Sequence, residues 1–227
     1  MKKISILIPV YNEREFLAEV VRRVEQVDFG MEKEIILVDD CSTDGTRELY
    51  SEITHKIIFH DKNMGKGASI RSGLKEASGD IIIIQDADLE YNPQDYRALV
   101  DLIKQDKADV VYGSRLTLKE SGKNFLFLSF LANNFLTFLT QLLYNTKLTD
   151  METCYKAFRA EIIKNIEIKS NRFDLEPEIT AKILKQKVRF AELPISYNGR
   201  EFHEGKKICW KDGVQAIFTL IKYRFFD

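Results

Sequence analysis

"IIIIQDADLE", residues 81–90, sets four isoleucines directly against three acids, and the reading of this stretch decides the fold. Alternating apolar and polar residues would mark a half-exposed strand. An unbroken β-branched run marks a strand covered on both faces, as in a parallel sheet with helices above and below. The acids follow where such a strand ends. Open parallel sheets bind ligands at the carboxyl ends of their strands, so Asp86, Asp88 and Glu90 are candidates for a site rather than a merely solvated strand end.

Working outward, short apolar runs recur at "KISILIPV" (3–10), "KEIILVDD" (33–40), "KIIFH" (56–60), "DIIIIQDAD" (80–88) and "ADVVYGS" (108–114). Segments of helical periodicity separate them at 14–27, 44–52, 67–77 and 94–106, with Pro93 near the first turn of the last. This alternation predicts an α/β fold: a doubly wound, mostly parallel, Rossmann-like sheet flanked by helices. The pattern changes after Arg115. "NFLFLSFLANNFLTFLTQLLY" (124–144) approaches the length of a membrane span, but Asn133, Asn134, Thr137, Thr140 and Gln141 make it a poor one. It reads as a core helix or as a helix lying in the membrane interface. "GVQAIFTLIKYRFF" (213–226) is a second amphipathic helix with aromatics and two cations.

Bulk properties narrow the function classes. A chain of 227 residues buries a substantial core as one large domain or two small ones. Its formal net charge of −1 supplies no global attraction to nucleic acid, and none is expected as a partner. Cys41, Cys154 and Cys209 lack metal-ligand spacing and read as reduced thiols of a cytosolic protein. "ISILIPV" after Met1 is too short for a signal-peptide core and reads as the first strand.

Asp86 and Asp88 are two apart, so on a continuing strand their side chains leave one face with Cα atoms roughly 7 Å apart. Oxygen-only donors of this kind favour Mg2+ or Mn2+ over zinc. A calcium EF-hand fails on detail, because its sixth position would be Tyr91 instead of Gly and its twelfth Arg97 instead of Glu. A second acidic strand end, "VDDCSTDGT", offers Ser42, Thr43 and Asp44 as helix caps and leaves Asp39 and Asp40 to contact a nucleoside. Tyr11 and Glu13 in "PVYNE" end the first strand, with a ring suited to stacking on a base. "NMGKGASIRSG" (63–73) is not a phosphate loop, since His60 stands where its first Gly belongs and Gly67 where Ser or Thr belongs. Its glycines read as a tight turn and close helix packing. A diphosphate ligand beside these acids needs cations. Arg115 and the Gly-flanked loop "NGREFHEGKKICWKDG" (198–213), with Arg200, His203, Lys206, Lys207 and Lys211, supply them and suit closure over phosphates. His55 and His60 read as structural.

Together "IPVYNE", "VDDCSTDGT", "NMGKGASIRSG", "DADLE", "YGSR", "TDMETCYKAFR", "FDLEPEITAKI" and "REFHEGKKICWKDG", in that order along nearly the whole chain, resemble family 2 glycosyltransferases of the GT-A fold. The resemblance is closest to the branch that acts on dolichyl or undecaprenyl phosphate. It implies a single domain, with a nucleotide-sugar-binding half at 1–115 and an acceptor-binding half at 116–227. It implies that Pro9, Tyr11, Glu13, Val38 and Asp40 bind the nucleoside. Asp86, Ala87 and Asp88 would form a D-x-D site, with Asp88 and Glu90 on Mg2+ or Mn2+, and Asp86, Asp88 and Arg115 would be the catalytic set. Arg115, Arg200 and Lys206 would hold the diphosphate and the acceptor phosphate. Relatives often carry Gln where Glu90 stands and further basic residues where this chain offers Lys119 and Lys123.

The expected reaction is inverting transfer of a hexose from UDP-glucose or GDP-mannose to a polyprenyl phosphate at the cytoplasmic face of the membrane, by a peripheral protein or one with a membrane partner subunit. A lipid phosphate, with its second pKa near 6, is already ionised at neutral pH and needs no dedicated base. Two rivals are a transferase acting on a sugar hydroxyl and a receiver-like regulatory domain. Against the latter, the paired acids follow the second strand and the basic loop has no role there.

Overall fold

A computed structural model describes residues 1–116, 127–199 and 210–226. Its framework is one seven-stranded sheet in the order β3-β2-β1-β4-β6-β5-β7. The strands are β1 (Lys3–Val10), β2 (Glu32–Asp39), β3 (Lys56–Phe59), β4 (Ile81–Ile84), β5 (Val110–Ser114), β6 (Lys156–Arg159) and β7 (Phe190–Pro194). Pairing is parallel throughout except at β6, which runs antiparallel to both β4 and β5. The helices are α1 (Leu17–Glu25), α2 (Lys66–Glu76), α3 (Tyr96–Lys104), α4 (Phe127–Tyr144), α5 (Ala160–Lys164), α6 (Leu175–Leu184) and α7 (Trp210–Phe225), with short 3-10 turns at Thr46–Glu52 and Pro93–Asp95. The α/β expectation, the mostly parallel sheet and the C-terminal amphipathic helices are all present.

The isoleucine run is the centre of this sheet. Ile81, Ile82, Ile83 and Ile84 are buried on both faces, and they register against Ile4, Ser5, Ile6 and Leu7 of β1. An all-apolar strand is the sequence consequence of being covered twice. The strand stops at Ile84, however, four residues short of the span read from sequence. Asp86 and Asp88 therefore sit on a turn, and the one-face spacing of a continuing strand does not apply to them.

Glycines set how closely α2 approaches its neighbours. Gly65 has a left-handed φ of 92°, and a Cβ on Gly67 would lie 2.2 Å from the carbonyl oxygen of Ser170. The Gly67 amide instead donates to Asn171 O at 2.8 Å. Close packing is thus the use of these glycines, as their spacing predicts.

Helices α4 and α7 pack on each other, with Tyr144 Oη donating to Leu220 O at 2.7 Å. One face of α4 is buried through Asn133, Leu136, Thr137 and Thr140, while Leu131, Phe135, Phe138 and Leu142 form an exposed stripe at helical spacing. Val214, Phe218, Ile221 and Phe225 repeat the same spacing on α7 and are also exposed. The core reading therefore holds for the buried face of α4, while the other face carries the exposed apolar stripe. Among the described residues, no helix is long and apolar enough to cross a membrane.

Candidate active site

Parallel pairing of β2, β1 and β4 brings three strand ends side by side. Pro9 ends β1 opposite Val38, and "YNE" then turns across the edge with Asn12 at a φ of 52°. Ser42 Oγ accepts the Asn12 amide at 3.0 Å, and Thr46 Oγ1 accepts that of Glu13 at 3.0 Å. Thus the loops after β1 and β2 are tied to each other. Asp44 accepts the Thr46 amide at 3.0 Å from just ahead of the 3-10 turn, whose N-cap is Gly45 in place of the expected polar side chain. Tyr11 is partly exposed at this edge, whereas Glu13 and the Val38 side chain are buried. Val38 can therefore meet a ligand only through its main chain.

The adjacent acids separate. Asp39 is fully buried and accepts the Ser42 amide, Arg47 Nε at 2.6 Å and Tyr50 Oη at 3.0 Å. Burial opposes its ionisation, but these donors outweigh it and hold the carboxyl below its ordinary range. Asp39 is a structural acid. Asp40 accepts the Met64 amide at 2.9 Å, the Gly65 amide at 2.6 Å and a bond from His60 Nδ1 at 2.7 Å. His60 in turn meets Ser72 Oγ at 2.9 Å, so the histidine is structural in a specific sense: it orients Asp40. The Met64 and Gly65 amides just ahead of α2 are taken up by Asp40 and the Gly67 and Ala68 amides in its first turn by Asn171 O, so this glycine-rich turn is not a phosphate cradle.

Beyond β4 the turn is held from beneath by Gln85. This residue is fully buried, its Oε1 accepts from the hydroxyls of Tyr155 and Tyr96, and its Nε2 donates to Asp86 O at 2.7 Å. Asp88 accepts the Glu90 amide at 3.1 Å, and Glu90 accepts Tyr197 Oη at 3.0 Å. Ala87 between the acids is buried. Asp86 plays a different part, because Lys66 Nζ lies 2.7 Å from its Oδ1 and 3.1 Å from Glu176 Oε1. Glu176 is also paired with the buried Lys156. Burial works against the Asp86 charge, yet Lys66 more than compensates and keeps the carboxyl below its usual range. Asp88 and Glu90, two oxygen donors on the same loop, are the pair suited to a hard divalent ion. Two carboxylates completed by ligand phosphates match the way Mg2+ is ordinarily held, and among the described residues no cluster of three or more His, Cys, Asp or Glu makes a closed metal cage.

Arg115 follows β5 and is buried. Its Nε and Nη2 meet the carboxylate of Asp150 at 2.7 and 2.8 Å, its amide donates to the same group at 2.9 Å, and its guanidinium lies 5.1 Å from the Tyr197 ring. Glu192 of β7 accepts the Thr149 and Asp150 amides at 2.8 and 3.0 Å and fixes the loop that carries Asp150. Arg115 thus stands at the crevice with its charge already matched. Arg200 and Lys206, with Lys119, Lys123, His203 and Lys207, lie outside the described residues.

Sequence reasoning missed Lys66, Glu152, Glu176 and Lys156. Glu152 sits in the loop before β6 with Oε1 buried and no hydrogen-bond partner. Burial and the nearby Glu176 charge push its carboxyl up to about 7. Lys66 was hidden in a segment read only for its glycines, and the two glutamates lie in motifs quoted only for their likeness to relatives.

A mixed sheet with one reversed strand beside the D-x-D turn, and acids gathered at adjacent strand ends, is the arrangement of a GT-A fold. Residues 5–167 match Glycosyl transferase family 2, and the chain belongs to that family. It is 32% identical over 232 residues to a dolichol-phosphate mannosyltransferase of Pyrococcus furiosus, covering 97% of this chain and 64% of that protein. It is also 32% identical over 214 residues to an undecaprenyl-phosphate 4-deoxy-4-formamido-L-arabinose transferase of Salmonella newport, covering 91% of this chain and 63% of that one. The chain thus spans a little under two thirds of the length of these relatives. Glucosyl-3-phosphoglycerate synthase from Mycobacterium tuberculosis, solved with Mn2+, UDP and phosphoglyceric acid, shares the fold with a TM-score of 0.76 at 17% identity, over 100% of this chain and 80% of that one.

Proposed function

We propose that this chain carries out metal-assisted, inverting transfer of a hexose from a nucleoside diphosphate sugar to a polyprenyl phosphate. The observation that carries the reading is the convergence of Asp40, Tyr11 and the Asp86–Glu90 turn at three neighbouring strand ends. Pro9, Tyr11, Glu13, the Val38 main chain and Asp40 receive the nucleoside. Asp88 and Glu90 hold Mg2+ or Mn2+ against the diphosphate, and the ion supplies charge neutralisation to the departing nucleoside diphosphate. Asp86, fixed by Lys66, lies beside the reacting end, and Arg115 with Arg200 and Lys206 completes the phosphate contacts. The first half of the chain, 1–115, serves the donor and 116–227 the acceptor. Relatives named for dolichol phosphate and undecaprenyl phosphate support the lipid acceptor.

Incubation with radiolabelled UDP-glucose or GDP-mannose, Mn2+ and undecaprenyl phosphate is expected to move label into the organic phase. Label transferred only to water-soluble sugar acceptors would overturn the lipid reading in favour of a hydroxyl acceptor.

A lipid acceptor requires a place on the membrane, and the paired exposed stripes of α4 and α7 supply it. Lys222 and Arg224, exposed in the last turn of α7, add attraction to anionic headgroups. We place the protein peripherally on the cytoplasmic face, alone or beside a membrane partner. Burying one Phe contributes about 1.5–3 kcal/mol. Replacing Phe138 and Phe218 together with Glu should therefore lower partitioning onto phosphatidylglycerol vesicles by ~100-fold or more, read by flotation. Undiminished flotation would show that another surface meets the bilayer.

A further inference from the structure

Buried polar atoms almost always find partners inside a protein, and each exception calls for a cause. Among the described residues, the buried side-chain atoms without a hydrogen bond are Asn133 Oδ1, Glu152 Oε1, Thr153 Oγ1 and Glu176 Oε1. The last has a charge contact with Lys66 but no aligned hydrogen bond. They are not scattered. Asn133 Nδ2 donates to Asp150 at 3.0 Å, Asp150 pairs with Arg115, the Thr153 carbonyl accepts from Lys156, and Lys156 and Lys66 both meet Glu176. The four atoms therefore gather between α4, the loop before β6 and the start of α6, and Lys66 links them to Asp86.

Their chemistry is of one kind. Asn133 Oδ1 only accepts, Thr153 Oγ1 accepts as well as donates, and Glu152, whose carboxyl is pushed up to about 7 by burial, accepts when ionised and donates when protonated, all of which suits hydroxyl partners. A phosphate, which also presents acceptors, would leave them unmatched and meet repulsion from Glu176. A ligand rich in hydroxyl groups would satisfy them all. We propose that Asn133, Glu152 and Thr153, backed by Glu176, form the subsite that receives the hydroxyl groups of the transferred sugar. This rests on the nucleotide-sugar reading of the same crevice and deepens it, because the subsite lies next to Asp86 and Arg115, where the sugar-bearing phosphate would end. It also separates the sugar from both phosphate positions. The pairing of Lys66 and Lys156 with Glu176 fixes that acid, so that it supports the subsite without turning into it.

Titration calorimetry with UDP, UDP-glucose, GDP and GDP-mannose in the presence of Mn2+ separates the two layers of the reading. Thr153→Val keeps shape and removes the hydroxyl, and Glu152→Gln keeps shape while replacing one acceptor by a donor. Each variant is checked by thermal melting. For the preferred nucleotide, each substitution is expected to weaken the sugar-bearing form about 10-fold, as befits one hydrogen bond to a buried group, and to leave the free diphosphate within about 2-fold. Equal effects on both forms, or none on either, would overturn the sugar subsite while leaving the donor reading intact. Failure of the folded parent protein to bind any of the four nucleotides would overturn the donor reading and the subsite with it.

Discussion

Asp88→Asn is expected to lower kcat/KM for sugar transfer by at least about 100-fold, the scale on which removal of one electrostatic contact to developing charge is felt. The substitution preserves size and an acceptor oxygen for the Glu90 amide that Asp88 accepts. What it removes, on the proposed reading, is half of the carboxylate pair that would hold the ion against the diphosphate. The loss should therefore appear with Mn2+ present as a fall in both transfer and Mn2+-dependent tightening of nucleoside diphosphate binding. Thermal melting without ligand should stay close to that of the parent. Asp86→Asn is the informative contrast. It leaves Lys66, whose ammonium is raised by Asp86 and Glu176 against the opposing pull of burial, with one anion in place of two. Its activity loss should come with lowered stability. Undiminished Mn2+-dependent transfer by Asp88→Asn would remove Asp88 from the metal site.

The first half of the molecule was legible because its signals are local. An all-isoleucine strand, a polar turn at Asp44 and glycines at a close crossing each follow from a few neighbouring residues. The ladder β3-β2-β1-β4 rests on such runs. The second half carries its information between distant segments. β6 is four residues long and is reversed between β4 and β5, and its burial depends on partners at Ile81–Ile83 and Val110–Tyr112 that no local period encodes. β7 is only partly buried and short. The site divides in the same way. Acids at strand ends announce themselves, whereas Lys66 becomes a site residue only because α2 is packed against the Ser170–Asn171 backbone and so meets Asp86 and Glu176. Gln85 lay inside the span read as strand, yet it is the peg beneath the turn. Asp39 and Asp40 were indistinguishable in sequence, and their separation comes from their partners, Arg47 and Tyr50 on Asp39 and His60 with the Met64 and Gly65 amides on Asp40.

Asp150→Asn is expected to cost about 3–5 kcal/mol of stability, the usual penalty for breaking a buried ion pair from one side. In a domain of this size that corresponds to a drop in melting temperature on the order of 10 °C. The reason lies in what Asp150 holds. Its carboxylate takes two guanidinium bonds and the amide of Arg115 together with Asn133 Nδ2, and burial opposes its charge while Arg115 sustains it below the ordinary carboxylate range. An amide in its place offers one acceptor and directs two N–H groups at a buried cation. If the pair is chiefly structural, Arg115→Met combined with Asp150→Asn should recover part of the loss, because the stranded charge is gone, and nucleoside diphosphate binding should survive in the folded protein. If Arg115 also faces the diphosphate, the double variant should recover stability but bind UDP or GDP with Mn2+ at least about 10-fold more weakly, as expected for loss of a charge-assisted bond. The position of Arg115 favours the second outcome: its guanidinium lies against the ring of Tyr197, whose hydroxyl holds Glu90, so the Asp150 pair aims the arginine at the same point where Asp88 and Glu90 would present the ion. Stability unchanged by Asp150→Asn would instead mean that Glu192 and the β5–β7 pairing alone hold this loop, and that the buried charge pair serves the ligand only.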